Sequence, residues 1–362
     1  MEAFPVWVYF GAFDRHNFGD LLLARVVPEV PGPRIWAGLV SRDLSPLGGV
    51  ACLSLAELGA SWQERFGEAP ARLIHVGGEI LTTTAWEAAV MLQTEDEAAR
   101  AIARWERHPV GRESWVKEQL GCSRAVPYVA GKEALPRVAG LEFWAVGGVA
   151  LDRLAPAAKA EVLAALSQTD HLGVRDKATR DALIQCGLAP VLEPDRVSSA
   201  MGSLVPLIER HCHQGEPALV RERFPQGYVA FQCSGDFGTD AMVGDLARGL
   251  RHRLQGRGLV LFRAGAAPWH DQLELYQRLL SRVDGFLFES LHVGDIGALV
   301  AGAGLVCASS LHVRLVARAF GVAVQSLAPD SREAARGKVA SWLATWEGGE
   351  CGVMTPREWA GR

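Results

Sequence analysis

The chain has 362 residues, 49% hydrophobic and 22% charged, with 39 glycines and 18 prolines. That balance excludes a disordered protein, a collagen-like repeat and a small disulfide scaffold, and the length favours two packed domains. The 41 acidic and 37 basic residues leave a net charge of -4 with no basic block, so an extended nucleic-acid-binding surface is excluded as well.

The amino end, through Asp20, shows no basic head, apolar run and small-residue cleavage site, and reads as a buried first strand. The richest apolar stretch, Ile296 to Cys307, is glycine-broken and shorter than the roughly 18 to 20 residues that cross a bilayer. A soluble, cytoplasmic protein is expected. The seven cysteines are scattered, without a Cys-x-x-Cys pair, and read as reduced core thiols. His211, Cys212 and His213 cluster but lack ligand spacing, so no metal site is expected.

Along the chain, short β-branched or aromatic runs alternate with longer helical patterns, as in parallel strands joined by crossover helices. Strands are predicted at Val6 to Phe10, Arg34 to Leu39, Arg72 to Val76, Val126 to Val129, Glu142 to Val146, His171 to Val174 and Pro190 to Leu192. Helices are predicted at Leu21 to Val27, Ser54 to Phe66, Trp86 to Arg107 (with Thr84 as N-cap), Pro156 to Ser167 and Lys177 to Cys186. From Ser198 to Gln226 the pattern breaks into a connector with one helix. It resumes with strands at Tyr228 to Gln232, Gly258 to Arg263, Gly285 to Glu289, Leu305 to Ala308 and Val322 to Leu327. Their helices are Asp240 to Leu254, His270 to Ser281, Val293 to Ala301, Ser310 to Phe320 and Ser331 to Trp346. The expected organisation is an amino-terminal α/β domain over 1–197, a linker over 198–226, a carboxy-terminal α/β domain over 227–346 and a tail over 347–362. The fold class is α/β: two doubly wound, Rossmann-like domains facing a cleft, with ligands expected at the carboxyl ends of the strands.

Several strand ends carry candidate chemistry. The first strand leads through Gly11 to Asn17-Phe18-Gly19-Asp20 and an apolar helix, an arrangement that suits an anion and equally allows Asp20 to act as a helix cap. Gly77-Gly78 and Gly147-Gly148 follow two further strands and permit close backbone approach. Arg175 ends a strand and offers a planar fork to a carboxylate or phosphate, while Asp176 caps the next helix or holds Arg175; a surface Arg175/Asp176 pair is the alternative. Ser309-Ser310-Leu311-His312 opens a helix after the strand Leu305 to Ala308. Histidine titrates near neutrality, so His312 is either a proton donor at that helix start or a structural residue.

The order of these pieces, Asn17-Phe18-Gly19-Asp20, Gly77-Gly78, Val174-Arg175-Asp176, Pro194-Asp195 and Ser309 to His312, resembles the polysaccharide pyruvyl transferase family from about Tyr9 to Leu327. Its pattern is N-x-G-D, a glycine-rich strand end, V-R-D, P-D, and S-R-x-H with a helix running to G-x-P. This chain departs from it at Ser310, where the family has arginine, and at Gly321-Val322-Ala323, which lacks the proline. The resemblance implies a GT-B-like fold and transfer of a pyruvyl group from phosphoenolpyruvate to a saccharide as a ketal, in cell-surface glycan biosynthesis. It implies His312 as general acid and Arg175, Ser309 and Ser310 as donor-binding residues. Arg314, one helical turn after Ser310, is a candidate for the missing fork. Asn17, Gly19, Asp20, Gly77, Gly78 and Asp176 would line the cleft. No cofactor or metal is expected beyond phosphoenolpyruvate as donor. The expected partners are that donor and a saccharide acceptor, with peripheral membrane contact where the acceptor is lipid-linked. Two alternatives stand beside this one: a GT-B-type glycosyltransferase using a nucleotide sugar, and a binding or regulatory homologue whose site has decayed at Ser310.

Overall fold

The computed structural model describes residues 4–348 and 352–361; Cys351 and part of the tail lie outside them. The chain forms two compact units, Met1–His16 with Leu23–Arg196, and Asn17–Leu22 with Val197–Arg362.

The first unit is built on eight strands: β1 Val6–Phe10, β2 Arg34–Gly38, β3 Arg42–Asp43, β4 Ala51–Ser54, β5 Ala71–Val76, β6 Val138–Val146, β7 His171–Val174 and β8 Val191–Leu192. They lie in the order β3-β4-β2-β1-β5-β6-β7-β8, parallel except for β3, which runs antiparallel to β4 at the edge. Side chains alternate across a strand. Val6, Val8 and Phe10 of β1 therefore join Leu73, Leu141 and Phe143 in one core, which also takes in Leu58 and Trp62 and the helical residues Ala88, Val162 and Leu183.

The second unit has five strands, β9 Tyr228–Gln232, β10 Gly258–Leu261, β11 Phe286–Leu287, β12 Leu305–Ala308 and β13 Val324–Ser326. All are parallel, in the order β11-β10-β9-β12-β13. Central β9 is buried along its whole length, and Val229 and Phe231 share a core with Leu246, Leu250, Leu261 and Trp359.

Several elements differ from expectation. Val126 to Val129 is a buried turn, not a strand: Pro127 has no N–H, and the Val129 N–H closes onto the Val126 carbonyl (3.0 Å). The predicted helix from Ser54 gives its first residue to β4, and Ser54 caps Leu55–Ala60. The predicted Trp86 to Arg107 helix is two helices, Ala85–Met91 and Glu95–Trp105, because Thr94 and Glu97 form a capping box that starts the second. Helix Pro109–Leu120 was not anticipated. The stretch predicted as a connector carries helices Met201–His211 and Gly215–Arg223 and belongs to the second unit. The predicted Ser331 to Trp346 helix breaks at Gly337. In the tail, helix Pro356–Ala360 seats a fully buried Trp359 against Gly249 of helix Asp240–Leu254.

Candidate functional site

In the second unit, the loops that follow β10 and β12 meet the Asn17–Leu22 segment, and the loop after β9 is tied to both of them. Ser310 caps helix Leu311–Ala319 by accepting the Val313 N–H (3.4 Å), which places His312 in the first turn, 8% exposed. Gly19 lies directly against the His312 imidazole, and a methyl group built on Gly19 would overlap the ring at Nδ1. Residues 293 positions apart are thereby brought together. Asn17, not Asp20, caps helix Phe18–Arg25: its Oδ1 accepts the N–H groups of Gly19 (3.0 Å) and Asp20 (3.2 Å). Asp20 instead sits in the first turn, where its charge complements the helix dipole. The segment is pinned to the β10 loop by an Asn17–Gly265 bridge and by the Phe18 N–H donating to the Ala264 carbonyl (2.6 Å).

Two residues that sequence reasoning missed organise these loops. Asp271, 5% exposed, accepts the Ala264 and Gly265 N–H groups through Oδ2 (2.6 and 3.3 Å) and Gln232 Nε2 through both oxygens (2.8 and 2.9 Å). Gln232 Oε1 then accepts the N–H groups of Ser309 (3.2 Å) and Ser310 (3.0 Å). Burial pushes the Asp271 carboxyl up to about 7 against the pull of these hydrogen bonds. The Ser309 and Ser310 N–H groups expected to cradle an anion are thus engaged by Gln232. Trp269, in the same β10 loop, holds φ at +64°, a left-handed value rare for an aromatic residue. Arg314 is also committed elsewhere, a correction to its expected role beside Ser310. It is 2% exposed, donates through Nε to Glu347 (3.2 Å) and through Nη1 to Ser326 Oγ (3.0 Å), and pairs with Glu347 again through Nη2.

In the first unit, Gly77, Gly78, Arg175, Asp176 and Asp195 gather at the carboxyl ends of β5 to β8. Arg175 is buried and ion-paired with Glu79 (2.6 Å) and Asp195 (3.3 Å). Burial disfavours its charge, but Glu79, Asp195 and Asp176 outweigh that and raise its pKa further. Asp176, 1% exposed, caps helix Lys177–Gln185 through the Thr179 N–H (2.8 Å) and hydroxyl (3.0 Å), so the surface-pair alternative for Arg175 and Asp176 does not hold. Gly77 and Gly78 have φ of 58° and 78°, which L side chains rarely adopt, and a side chain at Gly147 would overlap Glu79 and Arg175. The signal for Glu79 was a lone acid after a glycine pair. A buried acid also went unnoticed after β1: Asp14 accepts the Leu39 and Val40 N–H groups (2.6 and 3.2 Å) and the Tyr128 hydroxyl (2.9 Å). Burial raises its pKa. A cavity of about 500 Å³ lined by Cys122, Arg124, Glu133 and Glu161 shares no residue with either cluster.

One metal-type group occurs among the described residues, His211, His292 and Asp295, with donor atoms within 4.8 Å of one another. Its hydrogen bonds give it another role. His292 Nδ1 accepts the Gly294 N–H (3.1 Å), which leaves the proton on Nε2, and a metal at Nε2 would need the opposite tautomer. His211 Nδ1 bonds Asp295 (2.6 Å), so the trio clamps helix Met201–His211 to the start of helix Val293–Ala301.

Among the described residues no helix is long and apolar enough to cross a membrane. No family model and no curated protein matches the chain. Solved structures do. UDP-GlcNAc 2-epimerase from Methanocaldococcus jannaschii, in complex with UDP-GlcNAc and UDP, is similar at a TM-score of 0.55 and 9% identity over 99% of this chain and 90% of that one. Another structure of that enzyme gives 0.53 at 10% identity over the same shares. The enzyme from Rickettsia bellii gives 0.50 at 9% identity over 95% and 88%. At these identities the likeness concerns the fold: the chain is a GT-B-like α/β protein with two Rossmann-like units.

Proposed function

We propose that the chain is a sugar-modifying enzyme whose donor is a nucleotide-activated sugar, with His312 as its proton-transfer group. The observation that carries this reading is the imidazole of His312 held against Gly19 at a helix start, at the carboxyl edge of a parallel sheet, where such sheets take their ligands. The GT-B-like fold, shared with enzymes solved with UDP-GlcNAc and UDP, supplies the donor class.

The charge balance argues in the same direction. Phosphoenolpyruvate concentrates a carboxylate and a phosphate on three carbons and calls for uncompensated cationic forks. Arg175 already faces Glu79 and Asp195, Arg314 faces Glu347, and position 310 is serine.

Pyruvyl transfer from phosphoenolpyruvate is the second reading, favoured by one observation: the segments matched to N-x-G-D and, apart from Ser310, to S-R-x-H adjoin at Gly19 and His312. There His312 would protonate the donor's methylene carbon as one saccharide hydroxyl attacks C2, and a second hydroxyl of the acceptor would then replace the phosphate, which leaves as inorganic phosphate, to close the ketal.

Thermal-shift titration with UDP, UDP-GlcNAc and phosphoenolpyruvate separates the two. Ligand at ~100 times its dissociation constant stabilises the folded state by ~2.7 kcal/mol. UDP and UDP-GlcNAc should raise the melting midpoint, and His312→Ala should keep that shift while losing turnover. A shift with phosphoenolpyruvate alone overturns the first reading in favour of the second. Binding without turnover across an acceptor panel would leave a binding or regulatory homologue.

A further inference from the structure

We propose that Asp271 and Gln232 form a polarity-matched pair that positions the His312 segment, making Asp271 a positioning residue for a side chain it does not touch.

The inference rests on what each group can donate. Above pH about 7 the Asp271 carboxylate is ionised and only accepts, so there the side chain facing it must present donors. Gln232, 2% exposed, therefore turns Nε2 toward Asp271, and its Oε1 is left facing the Ser309 and Ser310 N–H groups. Those two residues directly precede helix Leu311–Ala319, and His312 is its second residue. Ser234 adds a further tie, its N–H donating to Ser309 Oγ (3.2 Å).

The same carboxylate holds the opposite wall. Its Oδ2 accepts the Ala264 and Gly265 N–H groups; Gly265 bridges to Asn17, and the Ala264 carbonyl accepts the Phe18 N–H. Gly19, the next residue, abuts His312. Both sides of the imidazole thus trace back to one buried acid on the β10 loop, and every group involved belongs to the second unit.

Donor–acceptor parity provides the test. In Asp271→Asn one oxygen continues to accept from Ala264 and Gly265, but the new NH₂ meets the NH₂ of Gln232. Flipping Gln232 moves the clash onto the Ser309 and Ser310 N–H groups. In Gln232→Glu two carboxylates face each other. The double variant Asp271→Asn/Gln232→Glu restores parity: the amide at position 271 donates to the carboxylate at position 232, which in turn accepts from the Ser309 and Ser310 N–H groups.

Amide hydrogen exchange at Ser309 and Ser310, read beside UDP affinity, decides the matter. Losing such a bond should speed exchange at Ser310 about tenfold in Asp271→Asn and at Ser309 less, since its N–H also donates to the Gln232 main-chain carbonyl (3.3 Å), and the double variant should return both to wild-type protection. Wild-type exchange in Asp271→Asn, or a double variant no better protected than the singles, overturns the pairing. If a single variant fails to fold, the double alone decides by the same criterion. The UDP arm rests on the nucleotide-sugar reading: affinity should fall in Asp271→Asn and recover in the double. If wild-type protein does not bind UDP, that reading fails while the exchange result still judges the pair.

Discussion

Gly19 and His312 occupy adjoining space so closely that hydrogen is the largest group position 19 accepts while the imidazole stays in place. Gly19→Ala should therefore displace His312, costing ~1–3 kcal/mol as overpacking does. The cost should vanish in Gly19→Ala/His312→Ala, where the ring is gone. Denaturant titration of the four species of this double-mutant cycle checks it, and additive losses would mean that the clash is relieved by some other route.

Arg175 makes a different prediction. Removing one member of a buried ion pair leaves the partner charge uncompensated, at ~3–5 kcal/mol. With Glu79 and Asp195 both facing it, Arg175→Ala should destabilise the first unit by that order and leave the second unit's transition in place. Unfolding followed by exchange in each unit separates the two. Activity lost in this variant then reports on folding, and a substrate contact at Arg175 would show instead as weaker binding with unchanged stability.

Ser310 is a cap as well as a departure from the pyruvyl transferase pattern. Ser310→Arg should cost ~1 kcal/mol through the lost cap. On the nucleotide-sugar reading it gains no response to phosphoenolpyruvate in thermal-shift titration. A new response would favour the pyruvyl donor.

Two buried groups, one in each unit, respond to acid in opposite senses. His75 lies fully buried in the first unit, its pKa pushed down to about 3 chiefly by burial, with Nε2 accepting the Ala130 N–H (3.0 Å). The unfolded chain binds its proton below about 6.5 and the folded chain does not, so stability is lost as the pH falls from there toward 3, on the order of 4 kcal/mol in all. Asp271 in the second unit works in reverse. Its folded pKa near 7 lies above the ordinary carboxyl value, so the folded state takes up the proton first, and this group's contribution to stability rises as pH falls from about 7 to 4. His75→Gln, which keeps an acceptor for Ala130, should flatten the first unit's acid slope, and Asp271→Asn the second unit's. Denaturation across pH 3 to 8 with exchange readout in each unit tests both.

Much of the scaffold was legible. Tyr228–Gln232 and Leu305–Ala308 form as predicted because a fully buried parallel strand is written as an unbroken apolar run. Edge strand β3 has two residues and no such run to read, whereas the equally short β11 was read within Gly285 to Glu289 from its Phe286-Leu287-Phe288 run. Val126 to Val129 carries a strand-like pattern but owes its apolar residues to a buried turn. The candidate residues were found where glycines and charges follow strands. What they bond to was not, since Arg314 and Glu347, or Gln232 and Asp271, are 33 and 39 positions apart with no spacing rule to join them. A glutamine closing an otherwise apolar buried strand was the one visible hint of the last pair.

The assignment of Asn17–Leu22 to the second unit has a consequence for how the molecule is made. These six residues leave the ribosome well before Gly265 and His312, the groups they settle against, which are translated 248 positions after Asn17 and 293 after Gly19. At ~5 to 20 residues per second the segment waits on the order of tens of seconds for its place. During biosynthesis the first unit's sheet therefore assembles around a loose tether, and the environment of the candidate histidine is completed only once the chain has been made past residue 312.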